Sequence, residues 1–147
     1  MADTPEKSIF QALLIQMKTL PLPSGMTLAG NVVLPGVQFT PQATTKYVSF
    51  EVHFNTSIRT DLSLQIEPIR QGFIRGIVLW PKTSAQVDAI DLAGIICSLF
   101  SAGTKLFQSG RQVRFDQDPE VGVVVTGDTH FTVPVTAFWQ SYPLVPA

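Results

Sequence analysis

Apolar positions recur along this chain with two different periods, and the changes of period mark out its elements. From Tyr47 the period is two. Val48, Phe50, Val52 and Phe54 fall on one side and Tyr47, Ser49, Glu51 and His53 on the other, which predicts a half-buried strand. Gln71 to Trp80 predicts a longer strand, closed by Pro81. Its second half, Ile77-Val78-Leu79-Trp80, is apolar on both faces, the pattern of a strand inside a sheet covered on two sides. Near the start the period lengthens to that of a helix: Ile9, Phe10, Leu13, Leu14 and Met17 repeat, with Lys7, Gln11 and Lys18 left outside. Thr4-Pro5-Glu6 supplies a cap, a proline at the first helical position and a carboxylate at the positive end of the dipole. This helix is expected to run to about Thr19, because Pro21 and Pro23 prevent continuation.

A second helix follows Pro81, with Thr83 or Ser84 as its cap, Asp88 and Asp91 in its early turns and Gly103 at its stop. Ala89, Ile90, Leu92, Ala93, Ile96, Leu99 and Phe100 form its apolar stripe. Ser109-Gly110 joins Thr104–Phe107 to Arg111–Phe115 in a hairpin with Val113 and Phe115 inward, and Gly127-Asp128 joins Val121–Thr126 to His130–Ser141. Pro134 in the last strand has no N–H, so that strand lies at an edge or leaves its amide side unpaired there. Two segments are irregular. Residues 21–46 read as an extended arm anchored by Val32, Val33, Val37 and Phe39, and residues 55–70 as a projecting hairpin carrying Leu62, Leu64 and Ile66. The expected fold class is α+β, a mostly antiparallel mixed sheet packed by two helices, with residues 1–147 as a single domain.

Composition changes this picture in one respect. Apolar residues make up 45% and charged residues 14%, against about 25% charged in ordinary soluble domains. That is too little charge to cover a free-standing monomer, while the mean hydropathy of +0.24 comes without the roughly 20-residue apolar run of a membrane span. The surplus points to intersubunit surface, so the chain is read as an oligomer. Asp3 and Glu6 beside Lys7 argue against a secretory signal and for a cytoplasmic chain. A net charge of -1 implies no tight electrostatic grip on nucleic acid.

Candidate chemistry is sparse. Asp116, Asp118 and Glu120 alternate as carboxylates that bind calcium or magnesium do, but they lack the further ligands and the turn glycine of a calcium loop, and the reading adopted is solvated loop charge, with no metal site. His53 and His130 sit at exposed-face positions with no second ligand at metal spacing. Ser84, Ser98 and Ser101 lack a nucleophile elbow, so no catalytic residue and no cofactor is assigned and the chain is not read as an enzyme. Cys97, the one cysteine, lies among Ile95, Ile96 and Leu99 and reads as core. Arg59, Arg70, Arg75, Arg111 and Arg114 are interleaved with Asp61, Glu67, Asp116 and Glu120, which favours intersubunit salt bridges or solvated faces over a phosphate path. Trp80 and Trp139 read as core or interface anchors.

The order of these elements carries a resemblance. A helix, a Pro-rich connection to Phe39-Thr40-Pro41, the strand from Tyr47, Gln71-Gly72-Phe73-Ile74-Arg75-Gly76-Ile77-Val78-Leu79-Trp80-Pro81, a helix ending in Phe100, Gly103-Thr104-Lys105-Leu106, Val113-Arg114-Phe115, Pro119-x-Val121-Gly122 and Phe131-Thr132-Val133-Pro134-Val135-Thr136 together resemble the tail terminator family of long-tailed bacteriophages. The resemblance covers nearly the whole chain. It implies a structural virion protein in the head-proximal end of the tail, assembled in the host cytoplasm. It further implies a homo-oligomer, a hexameric ring, that caps the tail tube, stops its polymerisation and offers a docking face to a head-completion or neck protein. DNA would pass through without sequence-specific binding, and no membrane is involved. Within it Val37, Phe39, Arg59, Asp61, Leu64, Arg70 and Arg75 are the expected interface residues, because they lie on or beside the irregular projections. The competing readings are a tail-tube subunit, a head-to-tail connector or, more remotely, a metal-dependent enzyme using the three carboxylates.

Overall fold

The helix announced by Thr4-Pro5-Glu6 forms over Pro5–Met17 (α1), with the Thr4 hydroxyl accepting from Lys7 N. The computed structural model describes residues 4–23, 25–41, 44–55, 57 and 69–143. The arm is less irregular than its composition suggests. It contains a one-turn helix, Leu28–Asn31 (α2), capped by Thr27, and a two-residue strand, Val32–Val33 (β1). Asn31 fastens this turn to the chain beyond it by donating to Lys46 O at 2.7 Å, which leaves Val32 buried.

The sheet then takes shape through Tyr47–Phe54 (β2), Arg70–Pro81 (β3), Lys105–Gln108 (β4), Arg111–Arg114 (β5), Glu120–Val121 (β6), Val125–Thr126 (β7) and His130–Pro143 (β8). Its order is β1-β2-β3-β8-β5-β4, with β6 and β7 both pairing β8; β1 runs parallel to β2 and all other pairs are antiparallel. The structure is therefore α+β, a curled mixed sheet of eight strands with three helices among the described residues. Of the residues expected to form the projecting hairpin, 56 and 58–68, with Arg59, Asp61, Leu62, Leu64 and Ile66, lie outside the described residues.

Pro134 sits in the middle of the sheet, opposite Ile77 of β3, so the edge alternative does not hold. Its carbonyl accepts from Gly122 N on the side away from β3. The N and C=O of one strand residue point the same way, so the missing N–H also faces that outer side, where the ladder opens between β6 and β7. The run expected as one strand, Val121–Thr126, is split in two at this point.

The second long helix spans Gln86–Leu99 (α3), and neither Thr83 nor Ser84 caps it. Ser84 N is committed to a turn on Pro81 O, which delays the helix start to Ala85, a residue without a capping side chain. Both long helices cover the same sheet face. Ile9, Leu13 and Met17 of α1, with Leu92, Ala93 and Ile96 of α3, join Phe50, Ile74, Val78, Val113, Val133 and Trp139 in one core. Register makes this a single face, since Gly72, Ile74, Gly76, Val78 and Trp80 stand opposite Trp139, Ala137, Val135, Val133 and Phe131. Arg111, expected at a salt bridge or on a solvated face, shares the inward direction of Val113 and is buried. At that end Arg70 Nε bonds Glu6 Oε1 at 3.1 Å. The Glu6 carboxyl is held below the usual carboxylate range, first by its own backbone N–H, then by Arg70.

Cys97 is half-buried on α3, and burial, reinforced by the nearby charge of Asp118, pushes its thiol pKa up. A thiol held above its ordinary pKa has less reactive thiolate near neutrality. Labelling by a thiol reagent at pH 8 is expected to be at least about tenfold slower for the folded chain than for the urea-unfolded chain. Equal rates would contradict this placement.

Candidate assembly surfaces

The carboxylate trio is dispersed into structural tasks. Asp116 pairs with Arg114 at 3.2 Å, and Asp118 accepts Ala102 N at 3.0 Å, fixing the turn after α3. Glu120 lies on β6 opposite Thr136. Among the described residues no three His, Cys, Asp or Glu side chains gather as a metal site would require. His130, expected on the surface, is half-buried, with Nε2 at 2.8 Å from Thr45 O and Nδ1 at 2.8 Å from Thr129 Oγ1. It is drawn in because the arm returns over the start of β8, and Tyr47 packs edge-on against its ring. Trp80 and Trp139 are core residues.

The interface candidates fall in separate places. Arg59, Asp61 and Leu64 lie outside the described residues, and Arg70 is turned to Glu6 within its own chain. Phe39 packs on Tyr47 with ring centroids 5.0 Å apart, tying the arm to β2, whereas Val37 beside it is exposed. Arg75 stands in the middle of β3 on the sheet face opposite the helices, its guanidinium 5.6 Å over the Phe73 ring.

That opposite face is the largest feature that sequence reasoning placed wrongly. β3 is apolar on both sides, yet among the described residues no helix packs on the second one. Pairing aligns four rows across β2, β3 and β8: Tyr47–Leu79–Thr132, Ser49–Ile77–Pro134, Glu51–Arg75–Thr136 and His53–Phe73–Phe138. His53 stacks on Phe73 at 4.5 Å and bonds Glu51 through Nε2, while Phe138 keeps 41% of its surface exposed. The result is a strip of aromatic and aliphatic side chains with a cation, Arg75, and an anion, Glu51, facing each other across β2 and β3 near its centre. Burial raises the Tyr47 pKa at one end of it.

On the outside of α3 two aliphatic side chains stand among polar ones. Ala89, Leu92, Ala93 and Ile96 take α3 into the core, which leaves Ile90 about 100° off that direction and 45% exposed, contrary to its expected place in the buried stripe. Val87 beside it is 69% exposed. A third exposed strip runs through Val121, Val123 and Val125. These surfaces are open and carry apolar side chains among polar ones, as contact areas between protein chains do.

Comparison with known proteins gives matches of two kinds. Residues 8–139 fit the family model described as phage tail terminator protein. Among solved structures, one chain 22% identical in sequence superposes with a TM-score of 0.70 over 97% of this chain and 95% of its own length, which shows a shared fold. No curated protein matches.

Proposed function

This chain belongs to the phage tail terminator family, and from that premise we propose that it closes into a ring of six copies that caps the tail tube, stops its polymerisation and presents a docking face to the neck proteins of the head. Membership itself makes it a structural component of the phage tail that contacts other virion proteins. The observation that carries the finer reading is the face of β2, β3 and β8 on which no helix packs among the described residues: aromatic and aliphatic side chains left partly exposed there, in a chain with so few charges, are satisfied by further protein subunits. A small net negative charge suits a ring through which DNA passes without being held. On this reading the chain works by complementarity at the head-proximal end of the tail, and it assembles there in the host cytoplasm.

Deleting the gene is expected to give overlong tails or tails without heads, restored by the intact chain. Normal-length tails attached to heads in the deletion would overturn the proposal. In vitro, the purified chain added to growing tubes is expected to arrest their extension. Long tubes formed by this chain alone would identify it as the tube subunit instead.

A further inference from the structure

On the side of β8 away from β3, the run Glu120–Thr126 is the margin of the sheet. β6 and β7 pair with β8, and among the described residues no strand lies beyond them. Every residue from 120 to 129 is exposed except Val124. Val121, Val123 and Val125 are 45%, 82% and 57% exposed, and no charge falls between Glu120 and Asp128. An uncharged run of β-branched residues along an open strand invites a strand from another chain, because the outward N–H and C=O groups of one strand are matched by those of any second one.

The register is interrupted at the centre of this margin. β6 pairs as Val121↔Val135 and β7 as Val125↔Thr132, so Gly122, Val123 and Val124 stand against only Pro134 and Val133 of β8. One residue is extra, which makes this a β-bulge. It is Val123: Gly122 N donates to Pro134 O at 2.7 Å and Val124 packs on the core, whereas Val123 is the most exposed residue of the three valines. Pro134 has no N–H to return to Gly122 O, so the bond pair that would carry a straight ladder through this point is half made. Its ring takes the space instead. A Cβ on Gly122 would lie 2.8 Å from Pro134 Cγ, so the close approach suits glycine.

The extra residue puts the two halves of the margin out of step. Gly122 N and Gly127 N both donate to β8, and backbone groups alternate along a strand. The groups of Val121 therefore point outward in the first half and those of Val124 and Thr126 in the second. An incoming straight strand presents its groups at every second residue, so one in step with Val121 is out of step with Val124 and Thr126. We infer that the bulge held by Pro134 and Gly122 closes this margin to strand addition, so that the chain associates through other surfaces and its sheet does not run on into a neighbour's. This device belongs to the single chain and stands apart from the ring reading above.

Deleting Val123 and changing Pro134→Ala sets one residue against one and supplies the missing N–H, with every flanking pair left in register. Folding is checked by thermal unfolding, and assembly by light scattering and negative-stain images. The repaired chain is expected to grow into open-ended assemblies at concentrations at least about tenfold below any at which the parent does so. Val125→Lys on the repaired chain is expected to reverse this, because a lysine on a margin strand opposes its pairing. A folded repaired chain that assembles no further than the parent overturns the inference, as does assembly that Val125→Lys leaves untouched. Hydrogen exchange on the parent gives a second test, which decides alone if the repaired chain does not fold. The outward amides of Val121 and Thr126 are expected to exchange within about tenfold of the rate of an unstructured amide, in the dilute chain and in its assemblies alike. If both are slowed in the assemblies, a strand from another chain spans the bulge and the inference fails.

Discussion

Replacing Trp139 by alanine is expected to cost about 3–5 kcal/mol, the range for removing a large buried aromatic side chain. Trp139 is the largest of the fully buried side chains, 1% exposed, opposite Gly72 in the central strand pair and edge-on to Phe54 at 5.4 Å. Gly72, its partner on β3, has no side chain to fill the space, and Phe54 beyond it meets only the edge of the ring. One term works the other way. The indole Nε1 is buried without a hydrogen-bond partner among the described residues, so its removal relieves a desolvation cost of roughly 1–3 kcal/mol and draws the net loss toward the lower end. Trp139→Phe, which keeps most of the ring and removes the orphaned N–H, is expected to lose no more than about 1.5 kcal/mol. Urea unfolding of the three chains measures this. Against a total of about 5–15 kcal/mol for a domain, the alanine variant is expected to melt roughly 6–15 °C below the parent. A loss below about 1 kcal/mol would mean that Trp139 is not in the packed position described.

Gly72→Ala is expected to be as severe, for the opposite reason. A Cβ at Gly72 would overlap the backbone carbonyl oxygen of His53 on β2 and lie 2.6 Å from Trp139 Cζ2. The ring is a side chain and can shift, but the carbonyl belongs to the neighbouring strand and moves only with the ladder. Overpacking of a tight core costs about 1–3 kcal/mol when side chains absorb it, so a clash that also displaces backbone is expected to reach or exceed about 3 kcal/mol. Combining Gly72→Ala with Trp139→Ala separates the two parts. Removing the ring relieves its share of the overlap, so the double variant is expected to be more stable than the sum of the single losses predicts by at least about 1 kcal/mol. Strict additivity would place the whole effect in the β2 backbone, and a Gly72→Ala chain as stable as the parent would contradict the close approach of the strands.

Gly72 also shows the limit of sequence reading. Nothing local distinguishes it from Gly76: both interrupt an alternating strand, and both invite the reading of a bulge or a close approach. The requirement arises because β2 and β8 flank it with a carbonyl and an indole brought from far away in the chain. The same holds for Pro134, whose missing N–H was legible but whose position at the centre of the sheet was not. Its tolerance there depends on which neighbour its amide side faces, and that is fixed only when β6 and β7 pair with β8.

The acid cluster and the arginines divide in a similar way. Spacing alone leaves Asp116, Asp118 and Glu120 as a loop of like charges. Folding gives two of them partners, Arg114 and the Ala102 amide, that are two and sixteen residues away. Arg70 and Arg75 are five residues apart, yet one is held to Glu6 at the start of α1 and the other is presented on the open sheet face.

The sequence by itself determined the elements and the α+β class, because period, capping residues and turn chemistry act over a few residues and the intended core face repeats with them. It also announced, through 45% apolar and only 14% charged residues, more apolar surface than a free-standing monomer can cover. Only the tertiary structure decided which surfaces remain open. The burial of Arg111 and His130 and the exposure of Ile90 and the second face of β3 are set by which strands and helices become neighbours, a matter of long-range packing that no local pattern encodes. Both long helices settle on the same side of the sheet, and that one choice leaves the strip around Arg75 and the outward side of α3 exposed on opposite surfaces.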